Sequence, residues 1–212
     1  MQPISVTVGP IATGDDNLIA TAQTVAAPSN LVLNSSVVVL DAPRQVIITS
    51  SGADTDVNFT IYGTTYGGHE VSETVTGVDS GAVATNTDFK TVTRIYADAP
   101  TDGNIIVGTN GVAGSRWVRL DNWAFAQTAV QVNVNGTADF TIQTTLDDPN
   151  DLTSPVSVSE VNWLSALDAN LVTTAADTSG YIAYTPSYVR VLLNSGTGSV
   201  TATFSQAGNV PL

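Results

Sequence analysis

The chain of 212 residues contains no cysteine, a single histidine and only 12% charged residues. Without cysteine it can form neither a disulfide framework nor a thiolate metal site. A lone histidine cannot build a histidine-rich metal cluster. These absences exclude the disulfide-stapled domain, the cysteine- or histidine-cluster metal domain and the cysteine-dependent enzyme as classes.

Basic residues are also scarce, with six Lys and Arg against 19 Asp and Glu, for a formal net charge of −13. A chain this acidic, without a basic stripe, is repelled by the phosphate backbone of nucleic acids. No apolar run approaches the length of a membrane span. The opening sequence MQPISVTVGP has neither the basic nor the apolar region of a signal peptide. We therefore expect no nucleic-acid partner, no membrane partner and synthesis in a cytoplasm.

What the chain does contain is a series of short alternating runs separated by turn residues. In VNFTIYG, Val57, Phe59 and Ile61 fall on one face, which is the period of a half-buried strand. Turn sequences such as SSGAD, YGGH and PTDGN supply the Gly, Asp and Asn that tight turns require. The pattern predicts an all-β protein of two small antiparallel β-sandwich or barrel domains with an extended N-terminal arm.

The break between the domains is predicted at the Gly-rich stretch GTNGVAGSR. We divide the chain into an arm with the first strands (1–40), a first β domain (41–108), a linker (109–116) and a second β-sandwich domain (117–212). The segment 158–172 allows at most one or two helical turns.

Two hairpins are predicted in the second domain. NVNGTADFTI places Asn135-Gly136 at a turn, and VLLNSGTGSVTATF reads as a second hairpin that closes the domain. Alternating positions in these four strands predict most of the second core, and their neighbours at odd offsets should be wet. The predicted core residues are Val130, Val132, Val134, Phe140, Ile142, Val189, Val191, Leu193, Val200 and Phe204.

Candidate catalytic residues are few. His69, in GGHEV, has no acid–base partner in the pattern, so an exposed turn residue is the better interpretation. A glycosidase needs two carboxylates across a cleft. Glu70 and Glu73 fall on opposite faces of one strand, and Glu160 stands alone. We predict no catalytic residue, no cofactor-binding residue and no enzymatic activity.

Two acidic stretches are candidates for calcium, which prefers oxygen ligands from such loops. Asp147, Asp148 and Asp151 lie in TLDDPND, and Asp54 and Asp56 lie in GADTD. Neither stretch has the EF-hand spacing, and a solvated turn with Asp capping local N–H groups is the more common explanation. We predict no required metal and no cofactor.

The tryptophans Trp117, Trp123 and Trp163 raise the alternative of a carbohydrate-stacking platform. Large aromatic residues in a sandwich are more often core or interface anchors. We therefore favour a core or subunit contact. Asn58-Phe-Thr and Asn135-Gly-Thr match a glycosylation acceptor, but without a signal peptide the match carries no weight.

Two parts of the chain resemble structural proteins of tailed bacteriophages. The first is RQVIITSSGADTDVNFTIYGTTYGGHEVSETVTG followed by FKTVTRIYADAPTDGNIIVG. The second is WVRLDNWA, then ADFTIQTTLDDPND, VNWL and YVRVLLNSGTGSVTATFSQ. Together they cover roughly residues 42–210, and the resemblance transfers no catalytic residue.

The resemblance implies a virion component, and the acidic charge favours a place outside the shell, away from packaged DNA. We expect a capsid decoration or cement protein on the outer surface of the head, with the major capsid protein and copies of itself as partners, and a homo-oligomer. We expect the N-terminal arm, residues 1–30, to supply part of the attachment. The alternative is a tail or fibre component with a receptor- or carbohydrate-binding role. Fibres usually carry repeats or coiled coils, and neither pattern is found.

Overall fold

The structure is a computed structural model that describes residues 3–121 and 127–206. Its regular structure is almost entirely strand, which confirms the all-β prediction, and the architecture is of the sandwich type. Two single 3-10 turns, Val158–Glu160 and Ala169–Leu171, occupy the segment where at most two helical turns were predicted. The strands, in chain order, are β1 (Ile4–Val8), β2 (Asp15–Gln23), β3 (Ser29–Asn30), β4 (Val38–Ser50), β5 (Asn58–Thr64), β6 (Glu70–Thr76), β7 (Ala82–Ala97), β8 (Ile105–Gly114), β9 (Val118–Arg119), β10 (Thr128–Asn135), β11 (Ala138–Thr145), β12 (Leu164–Ser165), β13 (Thr178–Ile182), β14 (Tyr188–Gly196) and β15 (Ser199–Gln206).

The chain forms two compact units. The central unit is Thr13–Val112, and the terminal unit is Met1–Ala12 together with Ala113–Leu212. The division falls inside residues 109–116, which the sequence suggested as a linker. That segment is strand rather than loop as far as Gly114, because Ala113 and Gly114 pair with β14. Strand pairing therefore overrides the loop preference of its glycines.

The N-terminal residues do not form the extended arm that the sequence suggested. Strand β1 pairs along its whole length with β15, from Ile4 opposite Phe204 to Val8 opposite Val200. Val6 and Val8 are only 2% and 3% exposed. Their alternation with Ser5 and Thr7 is the signature of a half-buried strand, so the segment completes a sheet of its own unit. Residues 4–8 are therefore a strand of this sheet and not an extended arm.

The central unit is built on a sheet with the strand order β8-β4-β7-β5-β6, to which β2 adds by pairing with β8 and β3 by pairing with β7. Val57, Phe59 and Ile61 are buried in its core, as the alternating pattern predicts. Strands β5 and β6 form a hairpin, with Asn58 opposite Thr76 and Thr64 opposite Glu70.

The terminal unit contains two groups of paired strands. One is the sheet β1-β15-β10-β13, and the other has the order β12-β11-β14, with β9 also paired to β14. Nine of the ten predicted core residues are buried, and Val134 is half-buried. Thr141 and Arg190, at odd offsets, were expected to be wet but are also buried. Other groups cover both residues on the face of the sheet that was expected to meet solvent. Thr141 accepts a hydrogen bond from the backbone of Thr173, and Arg190 lies over the ring of Trp163.

The two predicted hairpins are wrong. Strands β10 and β11 belong to different sheets, and so do β14 and β15. Each turn carries the chain from one sheet to the other, and the two turns meet where the Gly198 N–H donates to the Thr137 carbonyl over 2.8 Å. Gly136 and Gly196 have φ of 82° and 98°, a conformation that favours glycine. An Asn-Gly pair thus predicted the turn, but the partner of each strand was decided by distant parts of the chain.

Candidate binding surface

The acidic stretch TLDDPND begins a long loop between β11 and β12, residues 146–163, which we call the anchored loop. Asp148 holds its first part. Its Oδ2 accepts from Nη2 of Arg119 over 3.0 Å, and its Oδ1 accepts from the hydroxyl of Tyr188 over 3.0 Å and from the backbone N–H of Asn150 over 2.8 Å. The Asp148 carboxylate therefore connects the loop to β9 and β14.

The other two aspartates bind different parts of the loop. Asp147 Oδ2 accepts the backbone N–H of Asn162 over 2.7 Å, which joins the beginning of the loop to its end. Asp151 Oδ1 accepts the N–H groups of Thr153 and Ser154 over 2.7 and 2.9 Å. The hydrogen bonds from Ser154 and Thr153 lower the pKa of Asp151.

These contacts bear on the calcium hypothesis. Each carboxylate already accepts hydrogen bonds from separate protein donors, whereas a calcium site needs several oxygens that converge on one point. Within residues 3–121 and 127–206, no group of three or more His, Cys, Asp or Glu side chains is placed to hold a metal ion. Asp147, Asp148 and Asp151 each accept a backbone N–H of the loop and so act in the structure as backbone caps.

Trp163, at the end of the loop, forms an edge-to-face cluster with Trp117 and Tyr188, which we call the aromatic layer. The ring centroids of Trp117 and Trp163 are 5.1 Å apart, and those of Trp117 and Tyr188 are 5.9 Å apart. Both tryptophans are half-buried. Such edge-to-face pairs stabilise beyond the area they bury.

The strand register explains why these rings meet. Arg119 lies opposite Tyr188 and Val118 opposite Val189. Val118 and Val189 face the core, so Arg119, Tyr188 and their alternate neighbours fall on the opposite face of the sheet. Trp117 and Trp163, which immediately precede β9 and β12, reach the same face. Trp117 and Trp163 are therefore outside the main core, which corrects the core part of the sequence interpretation for these two residues.

Two arginines complete this surface. The guanidinium of Arg190 lies 4.4 Å from the centroid of the Trp163 ring, and its Nε donates to Oε1 of Gln143 over 2.8 Å. The guanidinium of Arg119 lies 6.0 Å from the Tyr188 ring. Cation–π contacts of this kind fix the orientation of both partners.

The pKa of the Tyr188 phenol is raised. Burial raises its pKa, and the bond to Asp148 and the charge of that residue act in the same direction, whereas the bond from Asn150 lowers it. The phenol is accordingly a hydrogen-bond donor across the neutral range, not a base. Chemically the surface offers hydrogen bonding, stacking and charge.

The other candidate residues considered from the sequence do not contact the aromatic layer. His69 is exposed in the turn between β5 and β6, where its carbonyl accepts from the Thr65 N–H. Glu70 is exposed, while Glu73 is half-buried and accepts the N–H groups of Asn86 and Thr87. Glu160 is exposed in the anchored loop.

The two aspartates of the other acidic stretch, Asp54 and Asp56, differ in burial. Asp54 is fully buried and accepts hydrogen bonds from the Ser50 hydroxyl and the Asp102 N–H. Asp56 is exposed. A carboxylate that closes a turn in this way is held by neutral donors. Trp123 lies outside the described residues.

Sequence reasoning missed Tyr188, Arg119 and Arg190 as members of the surface. The signal available was the alternation in YVRV, which places Tyr188 and Arg190 on one face and two valines on the other. It also missed Arg44, which is 1% exposed and donates from Nη2 to the Asn110 carbonyl over 2.6 Å and from Nη1 to Asp41 over 3.2 Å. A buried arginine cannot be recognised from spacing alone.

Comparisons with known proteins give little further information. No family model matches the chain, and no curated protein matches it. A solved structure titled "Structure of allantoicase" aligns with 93% of this chain and 92% of that chain at 10% identity, with a TM-score of 0.21. A similarity this low supports no inference about fold or activity. Among the described residues, no helix is long and apolar enough to cross a membrane.

Proposed function

We propose that this chain is a non-enzymatic structural protein of a tailed-phage virion, namely a decoration or cement protein on the outer surface of the head. The motif resemblance described above is the starting point. The major capsid protein and further copies of this chain are the proposed partners.

The observation that carries the proposal is the way the chain uses its carboxylates. Asp54, Glu73, Asp148 and Asp151 each accept two or more hydrogen bonds from protein groups. Carboxylates employed in this way tie turns and loops to strands and strengthen the fold without a disulfide or a metal. Stabilisation of this kind suits a protein that has to remain folded on the surface of a particle.

Charge supports a position outside the shell. Of the six cations, Arg44 and Arg190 are buried, and the Lys90 ammonium donates to the carbonyls of Leu40 and Asp41. The remaining surface is dominated by carboxylates, in keeping with the net charge of −13. Such a surface is repelled by packaged DNA, so the outer face of the capsid is the more favourable place.

One observation favours the second candidate, a tail or fibre component with a receptor- or carbohydrate-binding role. The aromatic layer lies on the outer face of a sheet and is flanked by hydrogen-bonding groups such as Asn150 and Gln143. Aromatic rings beside planar polar side chains are suited to sugar recognition. The half-burial of both tryptophans and the loop packed beside them weigh against it.

The copy number of the protein in purified virions distinguishes the two. A decoration protein is expected at a fixed, high ratio to the major capsid protein, measured by quantitative mass spectrometry, with the capsid protein as the internal standard. Labelled antibody should then decorate the whole head in electron micrographs. A few copies clustered at one vertex would support the tail candidate, and absence from the particle would overturn both.

A further inference from the structure

The anchored loop and the residues just after it expose several leucines to solvent. The exposed fractions are 70% for Leu146, 102% for Leu152, 58% for Leu164 and 80% for Leu167. A single exposed leucine needs no explanation, but four between residues 146 and 167 make this stretch unusually rich in exposed apolar side chains.

This stretch is held in place rather than loosely attached. Its ends are joined by the bond from the Asn162 N–H to Asp147, and the Val156 N–H donates to the Asp148 carbonyl over 3.4 Å. Leu164 belongs to β12, opposite Thr144. Ordering a loop before binding reduces the entropy that association costs. The leucines are therefore held in position before a partner binds, which favours association.

The charges around the leucines indicate which kind of partner this stretch can bind. The anchored loop contains Asp147, Asp148, Asp151 and Glu160 and no Lys or Arg. Two arginines contact it: Arg119 is paired with Asp148, and the buried Arg190 lies over the ring of Trp163. The rim around the leucines is thus acidic, so an acceptable partner carries basic groups around an apolar pocket.

A second copy of the chain does not satisfy this condition. Face-to-face association of two such loops would bring the same carboxylates together, which is unfavourable for like charges. Elsewhere the exposed arginines Arg94 and Arg116 are already engaged within the chain. The Arg94 guanidinium lies 3.7 Å from the centroid of the Tyr62 ring, and Arg116 donates to the Ser5 carbonyl over 3.1 Å.

We propose that residues 146–167 form a docking surface whose exposed leucines insert into an apolar, basic-rimmed pocket of a different protein. This inference rests on the proposed function, under which that protein is the major capsid protein of the shell. It replaces the N-terminal segment as the point of attachment.

The test uses mature shells prepared without this protein, to which purified full-length chain is added, with binding measured by co-sedimentation. The double variant Leu152→Ser, Leu164→Ser is compared with the control Val32→Ser, which changes a residue 75% exposed in the central unit. Because all three side chains are exposed, the variants should melt like the wild type. We expect the double variant to bind about ten-fold or more weakly, and the control within about two-fold of wild type. Wild-type binding should also weaken as NaCl is raised, since the rim contacts are between charges.

Each outcome bears on the docking surface, the proposed function or the identity of the partner. Wild-type binding that the double variant retains would overturn the docking surface and leave the proposed function standing. Failure of the wild type to bind any shell would overturn the proposed function and the docking surface with it. If the wild type sediments as an oligomer in solution and the double variant as a monomer, the surface joins copies of this chain, and our assignment of the partner is wrong.

Discussion

The hydroxyl of Tyr188 lies 3.0 Å from Oδ1 of Asp148 and donates a hydrogen bond that joins β14 to the anchored loop. The same hydroxyl accepts from Nδ2 of Asn150 over 2.8 Å. One side chain of a buried strand therefore holds the loop at two positions.

Replacing Tyr188 with Phe should destabilise the protein and loosen the loop. The change leaves the ring in place but removes a hydrogen bond to a carboxylate, for which a loss of about 1–3 kcal/mol is typical. Urea denaturation measures the loss, and limited proteolysis should show faster cleavage within residues 146–163. The matched control is Tyr181→Phe, at a ring that is exposed. Equal stability of the two variants would show that the bond to Asp148 contributes nothing.

Replacing Phe140 with Ala should empty a fully buried site in the terminal unit. Phe140 is 0% exposed, and its backbone pairs with that of Leu193. Emptying an aromatic core site costs about 3–5 kcal/mol, which denaturant titration can measure. Leu152→Ala, at a fully exposed leucine, is the control and should be near neutral. A small effect at Phe140 would mean that its strand is misplaced.

Alternating patterns predicted the strands and their buried faces well, because burial on one face imposes a period of two wherever a sheet has a core. Phe140, Ile142 and Val191 were found from this period alone. The second, partly covered face was not predictable in the same way. Thr141 and Arg190 are polar, and only the later chain segments that cover them decide that they are buried.

Strand partners were the least predictable feature. The turn at Asn135-Gly136 was correctly located, yet Asn135 pairs with Ser199 and Ala138 with Gly196, each in a different sheet. Local sequence specifies that a chain reverses or bends, whereas the choice between a hairpin and a change of sheet depends on contacts far apart in sequence. The binding surface was missed for the same reason, since it joins Trp117, Trp163 and Tyr188 from three strand ends.

The stability contributed by Asp98 should depend on pH in a defined window. The side-chain and backbone hydrogen bonds from Asn58 lower the pKa of Asp98. A lowered folded-state pKa contributes stability that is present above the unfolded value of about 3.9 and is lost as pH falls through the folded value. Comparing wild type with Asp98→Asn cancels the titration of the other groups. The difference in melting temperature should therefore be constant from about pH 5 to 7 and shrink below about pH 4. The same difference at about pH 3 as at pH 6 would contradict the assignment.

Removal of divalent metal ions should leave the melting temperature of the protein unchanged. Asp147, Asp148 and Asp151 accept bonds from different donors, so no preformed oxygen cage exists among them. Calorimetry in EDTA should give the same melting temperature as in buffer, and about 5 mM CaCl₂ should not raise it. A rise with calcium that Asp147→Asn abolishes would instead establish a calcium site in the anchored loop, because a ligand of the folded state stabilises it.

Deleting residues 1–8 should destabilise the terminal unit, since β1 is a strand of its sheet. Val6 and Val8 are buried, and burying a valine stabilises by about 1.5–3 kcal/mol. The deletion also removes the hydroxyl bonds of Ser5 to Thr203 and of Thr7 to Thr201, both 2.8 Å. We expect a lower melting temperature and faster hydrogen exchange in β15.

The vacated edge of β15 provides the control for this deletion. A synthetic peptide of residues 1–12, added in excess, should pair with that edge and restore much of the lost stability. A peptide with Val6 and Val8 changed to Ser should not, because it keeps the backbone donors but lacks the buried side chains. A truncated chain that melts like the full-length protein, with unchanged exchange in β15, would show that the segment is a free arm after all. Attachment to a partner would then again be possible through the N-terminus.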